Sequence, residues 1–222
     1  MNKILATIGP ISDSRVNIKK ILNVSNTLRL NGSHNTLSWH TEISKRIKDI
    51  NPKTIILLDV PGIKPRTANN QEIKIKKGER VFFVYGKNKF NSNYKVIKIT
   101  NQLPKINKKI KYFTISDGQF EFSLIKNKSS YIEGISKESF ILLPNKGLNI
   151  PYSIYDEKAQ FKIYSKFINK YKKVKYDALG FSFVQSDLIL NKIRKKFRNV
   201  VIVAKIENYL DFKNVNEISR LS

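Results

Sequence analysis

The sequence predicts an α/β protein interrupted by a β-rich module, and three observations carry that expectation. Short apolar runs alternate with stretches of helical spacing near both ends of the chain. Between about residues 68 and 146 the helical spacing disappears and β-branched and aromatic runs replace it. Polar clusters recur where the apolar runs of the first kind stop.

The elements follow in order. Lys3 to Gly9 is a short apolar run closed by Gly9-Pro10, which reads as a buried strand and a turn. Ser12, Asp13 and Ser14 offer caps for a helix in which Ile18, Ile21 and Leu22 share a face. Thr27 to Asn31 reads as a second strand with a polar end. Asn35 is the expected cap of a helix that sets Trp39, Ile43 and Ile47 on one stripe. Thr54 to Val60 is apolar enough for a central parallel strand. The order strand, helix, strand, helix, strand implies right-handed crossovers.

Inside the module, Glu79 to Tyr85, Tyr94 to Thr100, Tyr112 to Ile125 and Phe140 to Leu143 read as strands. Turn signals at Lys77-Gly78, Asp117-Gly118 and Asn145-Lys146-Gly147 punctuate a small antiparallel sheet or barrel. Helical spacing then resumes, with Ala159, Ile163, Phe167 and Tyr171 as the expected stripe. Asp177 to Val184 reads as a strand, Leu190, Ile193 and Phe197 as a helix face, and Val200 to Ile206 as a fifth strand of the series. A closed barrel of eight such units needs about 250 residues. Five strands do not close, so an open sheet edge is expected after Val203.

Composition narrows the function classes. With 222 residues and 41% apolar content the chain buries a real core. No cysteine is present, which excludes disulfides and thiolate metal sites and fits a reducing cytoplasm. No apolar run approaches the roughly 20 residues that span a bilayer, so no membrane partner is expected. The charge of +25 attracts polyanions. Its lysines, however, are spread over every segment with no aromatic-interleaved signature, so no specific nucleic-acid partner is expected. Phosphate-loop, dinucleotide and zinc-protease motifs are absent, and His34 and His40 are the only histidines.

Five blocks resemble the pyruvate kinase family, in the family's order. Lys3 to Ser14 is similar to its opening strand, and Leu28-Arg-Leu-Asn-Gly-Ser-His34 to its Arg-Leu-Asn-Phe-Ser-His block. Asp59-Val-Pro-Gly-Ile-Lys-Pro-Arg-Thr67 parallels its Asp-x-x-Gly-Pro-Glu/Lys-Ile-Arg-Thr block. Asn145-Lys-Gly-Leu-Asn-Ile-Pro151 and Ala204-Lys-Ile-Glu-Asn208 complete the set. The resemblance implies an incomplete (β/α)8 barrel over residues 1–67 and 147–222, with 68–146 as an inserted antiparallel β-barrel lid. It implies phosphoryl transfer from phosphoenolpyruvate to ADP, giving pyruvate and ATP in glycolysis, in the cytoplasm and, for a full-length protein, in a homotetramer. This chain alone is expected to be weakly active or inactive.

Such a reaction needs cations around a trianionic phosphoryl group and a carboxylate-held metal. Lys205 and Glu207, two apart on a strand, share a face, so an ammonium and a Mg²⁺-binding carboxylate meet there. By resemblance Lys205 is catalytic and Glu207 binds Mg²⁺, while Arg29, an odd residue to bury between Leu28 and Leu30, takes substrate phosphate. Asn31, Ser33, Asp59 and the Val60 carbonyl stand where the family holds K⁺; His34, Arg66, Asp117 and Lys146 stand on the nucleotide side. Lys64 replaces a frequent glutamate, and a fixed ammonium there substitutes for K⁺, so weak K⁺ dependence is expected. Gly32, Asn35, Ile63, Pro65 and Gln185 depart from the family's pattern. Two other readings stay open: a non-catalytic relative that binds phosphorylated ligands or a partner, and a basic nucleic-acid binder.

Overall fold

The computed structural model describes residues 4–86, 93–106 and 108–220; Lys3, at the head of the first block, and the terminal Ser222 lie outside them. Two compact units emerge. One holds the described residues up to Gly62, Glu157–Glu207 and those from Asp211 onward; the other holds Ile63–Asp156 with Asn208–Leu210.

The chain opens with β1 (Leu5–Ile8), α1 (Arg15–Leu22), β2 (Thr27–Asn31), α2 (Leu37–Ile50) and β3 (Ile55–Val60). Eight short strands follow: β4 (Ile73–Ile75), β5 (Arg80–Tyr85), β6 (Lys95–Ile99), β7 (Tyr112–Ile115), β8 (Phe120–Lys128), β9 (Tyr131–Ser136), β10 (Phe140–Leu142) and β11 (Leu148–Asn149). The series then returns with α3 (Glu157–Lys170), β12 (Ala178–Phe181), α4 (Asp187–Lys196), β13 (Val201–Ala204), α5 (Tyr209–Lys213) and α6 (Val215–Ser219).

In the first unit the strands form one parallel sheet in the order β1-β2-β3-β12-β13. Strand order that never reverses, joined by right-handed crossovers, puts every helix on the same face. The core agrees: Leu28, Leu30, Ile56, Leu58, Val60, Leu179 and Phe181 pack with Ile18, Ile43, Ile47, Tyr164 and Ile193 from the helices. Alternation then turns Arg29 and Asp59 to the opposite face. As expected from the sequence, the sheet is open at β13, where Val201 is 65% exposed.

Several expectations need correction. The first strand is only partly buried: it lies at the other sheet edge, where Leu5 is 47% exposed while Ile8 reaches the core. The cap of α2 is Thr36, whose Oγ1 accepts from Trp39 N at 3.2 Å, whereas Asn35 sits at φ 63° one residue earlier. The buried stripe of α3 is Gln160, Tyr164 and Ile168, one position beyond the expected one. The cause is a polar residue, Gln160, taking a core position for its hydrogen bonds. Lys205 and Glu207 follow β13 rather than lying in it.

The second unit is a six-stranded sheet, β11-β7-β8-β9-β5-β6, beside the pair β10-β4. It is not wholly antiparallel, because β5 and β6 run parallel. The expected turn at Asp117-Gly118 divides the Tyr112 to Ile125 stretch into β7 and β8. Backbone bridges Arg66–Gly147 and Thr67–Ile99 tie one segment to both ends of the sheet, which therefore curls. Phe83, Phe113 and Phe122 fill its interior, the last two stacked at 5.1 Å. β9 has no counterpart in the sequence reading. Its centre carries Glu133, buried against the Arg80 guanidinium, and Gly134, where an added Cβ would meet Phe113 Cε1 at 2.6 Å. Gly134→Val is expected to lower stability by about 1–3 kcal/mol through overpacking, measured as a shift in the denaturant midpoint.

Candidate functional site

At the carboxyl ends of β2, β3 and β13, four charged side chains meet in the first unit. The Arg29 guanidinium donates to Asp59 Oδ2 through Nε at 2.8 Å and Nη2 at 2.5 Å. Its Nη1 donates to Thr7 Oγ1 on β1 at 3.1 Å. The Lys205 ammonium lies 2.9 Å from Asp59 Oδ1 and 3.2 Å from Glu207 Oε1. Glu207 Oε2 accepts from the Phe183 N–H at 2.9 Å, in the turn after β12.

Burial orders these groups. Asp59 is 3% exposed, and a carboxylate so deep needs paired donors, which Arg29 and Lys205 supply. Those two side chains stay 26% and 24% exposed. Asp59 is thus the floor and the cations are the layer that solvent meets. An anion arriving from water encounters Arg29 and Lys205 first, and a guanidinium fork beside an ammonium suits phosphate oxygens.

The turn from Asn31 to Asn35 closes beside this floor. Asn31 and Asp59 are partners across the β2–β3 ladder, and Gly32 N donates to the Asp59 carbonyl at 3.0 Å. Asn31 Oδ1 accepts from Ser33 N at 3.0 Å, and the Val60 carbonyl accepts from Ser182 N at 3.2 Å. His34 is exposed. A Cβ on Gly32 would lie 2.4 Å from both the Asp59 carbonyl oxygen and Phe167 Cζ. The ring of Phe167, stacked on Tyr171 at 4.0 Å, occupies the space beside Gly32.

His40, on α2, supports this turn from below: its Nε2 lies 2.9 Å from the His34 carbonyl, between the rings of Trp39 and Tyr171. Burial pushes its pKa below the ordinary 6.5, against the opposing pull of the His34 carbonyl. The unfolded chain therefore takes up this proton at higher pH than the folded one, so stability is full above about pH 6.5 and falls as pH drops toward the lowered folded value. Thermal unfolding midpoints should decline on acidification below pH 6.5, and His40→Phe should flatten that part of the profile.

The remaining candidates lie in the second unit. Arg66 Nη1 donates to the Asn145 carbonyl at 3.2 Å, and Lys146 N donates to Thr67 Oγ1 at 3.0 Å. Lys64 Nζ stands 3.5 Å from Asp117 Oδ1, with its stem against Gly147. Asp117 itself is largely exposed, at φ 56°. Ile63 and Pro65 are buried there, and Gln185 is buried in the first unit, its carbonyl accepting from Asn214 Nδ2 at 2.7 Å.

Sequence reasoning did not foresee Thr7, the Phe183 N–H or Gln160. Phe183 adopts φ 57°, a conformation that nothing in its residue type announces.

Cations and carboxylates gathered at the carboxyl ends of parallel strands place this cluster at the end of the sheet where α/β barrel proteins carry their functional groups. The family model for the pyruvate kinase barrel domain matches residues 1–222. The chain belongs to the pyruvate kinase family. Similar proteins include the pyruvate kinase of Thermococcus litoralis, 29% identical over 97% of this chain and 48% of that protein. That of Thermotoga maritima is 27% identical over 99% of the chain and 49% of its own length. That of Buchnera aphidicola is 30% identical over 92% and 45%. The chain thus spans about half the length of these relatives. Among the described residues no helix is long and apolar enough to cross a membrane.

Proposed function

We propose that this chain forms part of a pyruvate kinase active site, the five-stranded sheet being a segment of a (β/α)8 barrel and the second unit its inserted β domain. The observation that carries the reading is the meeting of Arg29, Asp59, Lys205 and Glu207 at the strand tips. In this reading Arg29 receives the phosphate of phosphoenolpyruvate, and Lys205 neutralises the phosphoryl group as it passes to ADP. Arg66, Lys146, Asp117 and His34 serve the nucleotide. Family membership and the absence of cysteine support a cytoplasmic, glycolytic role.

Mg²⁺ fits Glu207, whose carboxylate is a third exposed and keeps lone pairs beyond its two contacts. The metal, when bound, supplies charge neutralisation to the phosphoryl oxygens; Glu207 holds it and Lys205 keeps that carboxylate oriented. K⁺ fits less well at Asn31, Ser33, Asp59 and Val60, because both Asp59 oxygens already face fixed cations. Replacing K⁺ by tetramethylammonium in the assay should therefore lower turnover by less than about threefold; Lys64 contributes further positive charge in this reading.

A second reading has its own support. Asp59 is bound by two cations, so the cluster leaves a metal only the Glu207 carboxylate, which favours capture of a phosphorylated ligand without turnover by this chain alone. Pyruvate release from phosphoenolpyruvate with ADP and Mg²⁺ separates the two. It is measured on this chain and on a fusion that adds the carboxyl-terminal half of the Thermotoga maritima relative. Turnover by the fusion supports the kinase reading; calorimetric phosphoenolpyruvate binding by the chain without turnover by a folded fusion supports the second; neither would overturn both.

A further inference from the structure

The turn after β12 is held from beneath by two side chains of α3. Gln160 Nε2 has the Phe183 carbonyl, the Tyr164 hydroxyl and, at 3.3 Å, the Ser182 carbonyl within hydrogen-bond reach, and its two N–H groups are shared among these three acceptors. Tyr164 in turn donates its hydroxyl proton to the Ser182 carbonyl. Both side chains are fully buried. The amide orientation is fixed, since a flipped Gln160 would aim its oxygen at two carbonyls. In that orientation Gln160 Oε1 is buried with no hydrogen-bond partner, an unfavourable arrangement that the other contacts of the side chain must offset.

What this arrangement secures is a strained turn. Phe183 sits at φ 57°, unfavourable for a residue with a bulky side chain. From the other side the turn presses on Gly62, where an added Cβ would meet Phe183 Cδ2 at 2.8 Å. Held between α3 and Gly62, the Phe183 N–H points at Glu207 Oε2. We propose that Gln160 and Tyr164 are positioning residues for Glu207, fixing the turn whose N–H aims that carboxylate at the ligand. This inference rests on Glu207 being the metal-holding carboxylate. Tyr164 suits the task because burial raises its pKa well above 10, so its hydroxyl remains a donor. Partners of this kind, one step removed from a ligand, typically change metal affinity by about 10–100-fold.

The test uses this chain, Tyr164→Phe, Gln160→Met and Mn²⁺ as a paramagnetic probe. Tyr164→Phe keeps the ring and its packing and removes only the hydroxyl. Amide exchange at Phe183 should quicken at least about tenfold in either variant while Leu28 and Leu30 exchange as before. Mn²⁺ broadening of the Phe183 and Glu207 amide signals should need at least about tenfold more metal. Unchanged exchange at Phe183 in a folded variant would overturn the proposal, as would unchanged Mn²⁺ affinity despite faster exchange. Absence of broadening in the parent chain would sink Glu207 as a metal ligand, and the exchange comparison would still decide whether α3 holds the turn.

Discussion

Lys205→Met in the active fusion should reduce kcat for pyruvate formation by about 10³-fold or more. Lys205 is a point charge at the mouth of the cluster, and charge delivered to a migrating phosphoryl group counts most in the transition state. The fold should survive, because Arg29 still contacts Asp59 with two nitrogen donors. Circular dichroism and an unfolding free energy within about 3 kcal/mol of the parent would show that. Lys205→Arg should recover little, since a planar fork does not place its charge where a compact ammonium stood. Near-parental turnover in Lys205→Met would remove the central residue of the kinase reading.

Gly32→Phe should be the most destabilising single change at the site, costing about 3 kcal/mol or more. Two obstacles cause it, a backbone carbonyl at Asp59 and the Phe167 ring, and only the second is removable. Gly32→Phe combined with Phe167→Ala should therefore be more stable than the sum of the two changes by at least about 1 kcal/mol, yet remain below the parent. Additive denaturation midpoints would show that Phe167 does not compensate for the missing side chain at position 32. The Phe167 ring of α3 and the Asp59 carbonyl together leave room for no side chain at position 32.

Much of the α/β unit was legible because its periodicities are clean. Thr27 to Asn31 and Ile55 to Val60 alternate or run apolar within bounds set by polar residues, and the strands match closely. Arg29 stood out as a charge between two buried leucines, and it faces Asp59. Elsewhere the chain hides its geometry. Gln160 looks like a surface residue, so the sequence pattern sets the α3 stripe one position too early. Glu133 and Gly134 interrupt the alternation of β9, although one is satisfied by Arg80 and the other yields to Phe113. Thr36 and Asn35 are both good capping types, and only backbone angles separate them. Short terminal helices such as α5 and α6 carry too few turns to show a period.

Trp39 is the sole tryptophan of the chain. Its indole N–H donates to Asp13 at 2.8 Å while its ring meets His40 edge-on, one hydrogen bond away from the turn that bears Asn31, Ser33 and His34. The protein therefore carries an intrinsic fluorophore next to its candidate phosphate-binding loop. Ligand titrations can be followed by emission intensity without any label, and acid quenching of the same signal would report the neighbouring imidazole gaining its proton.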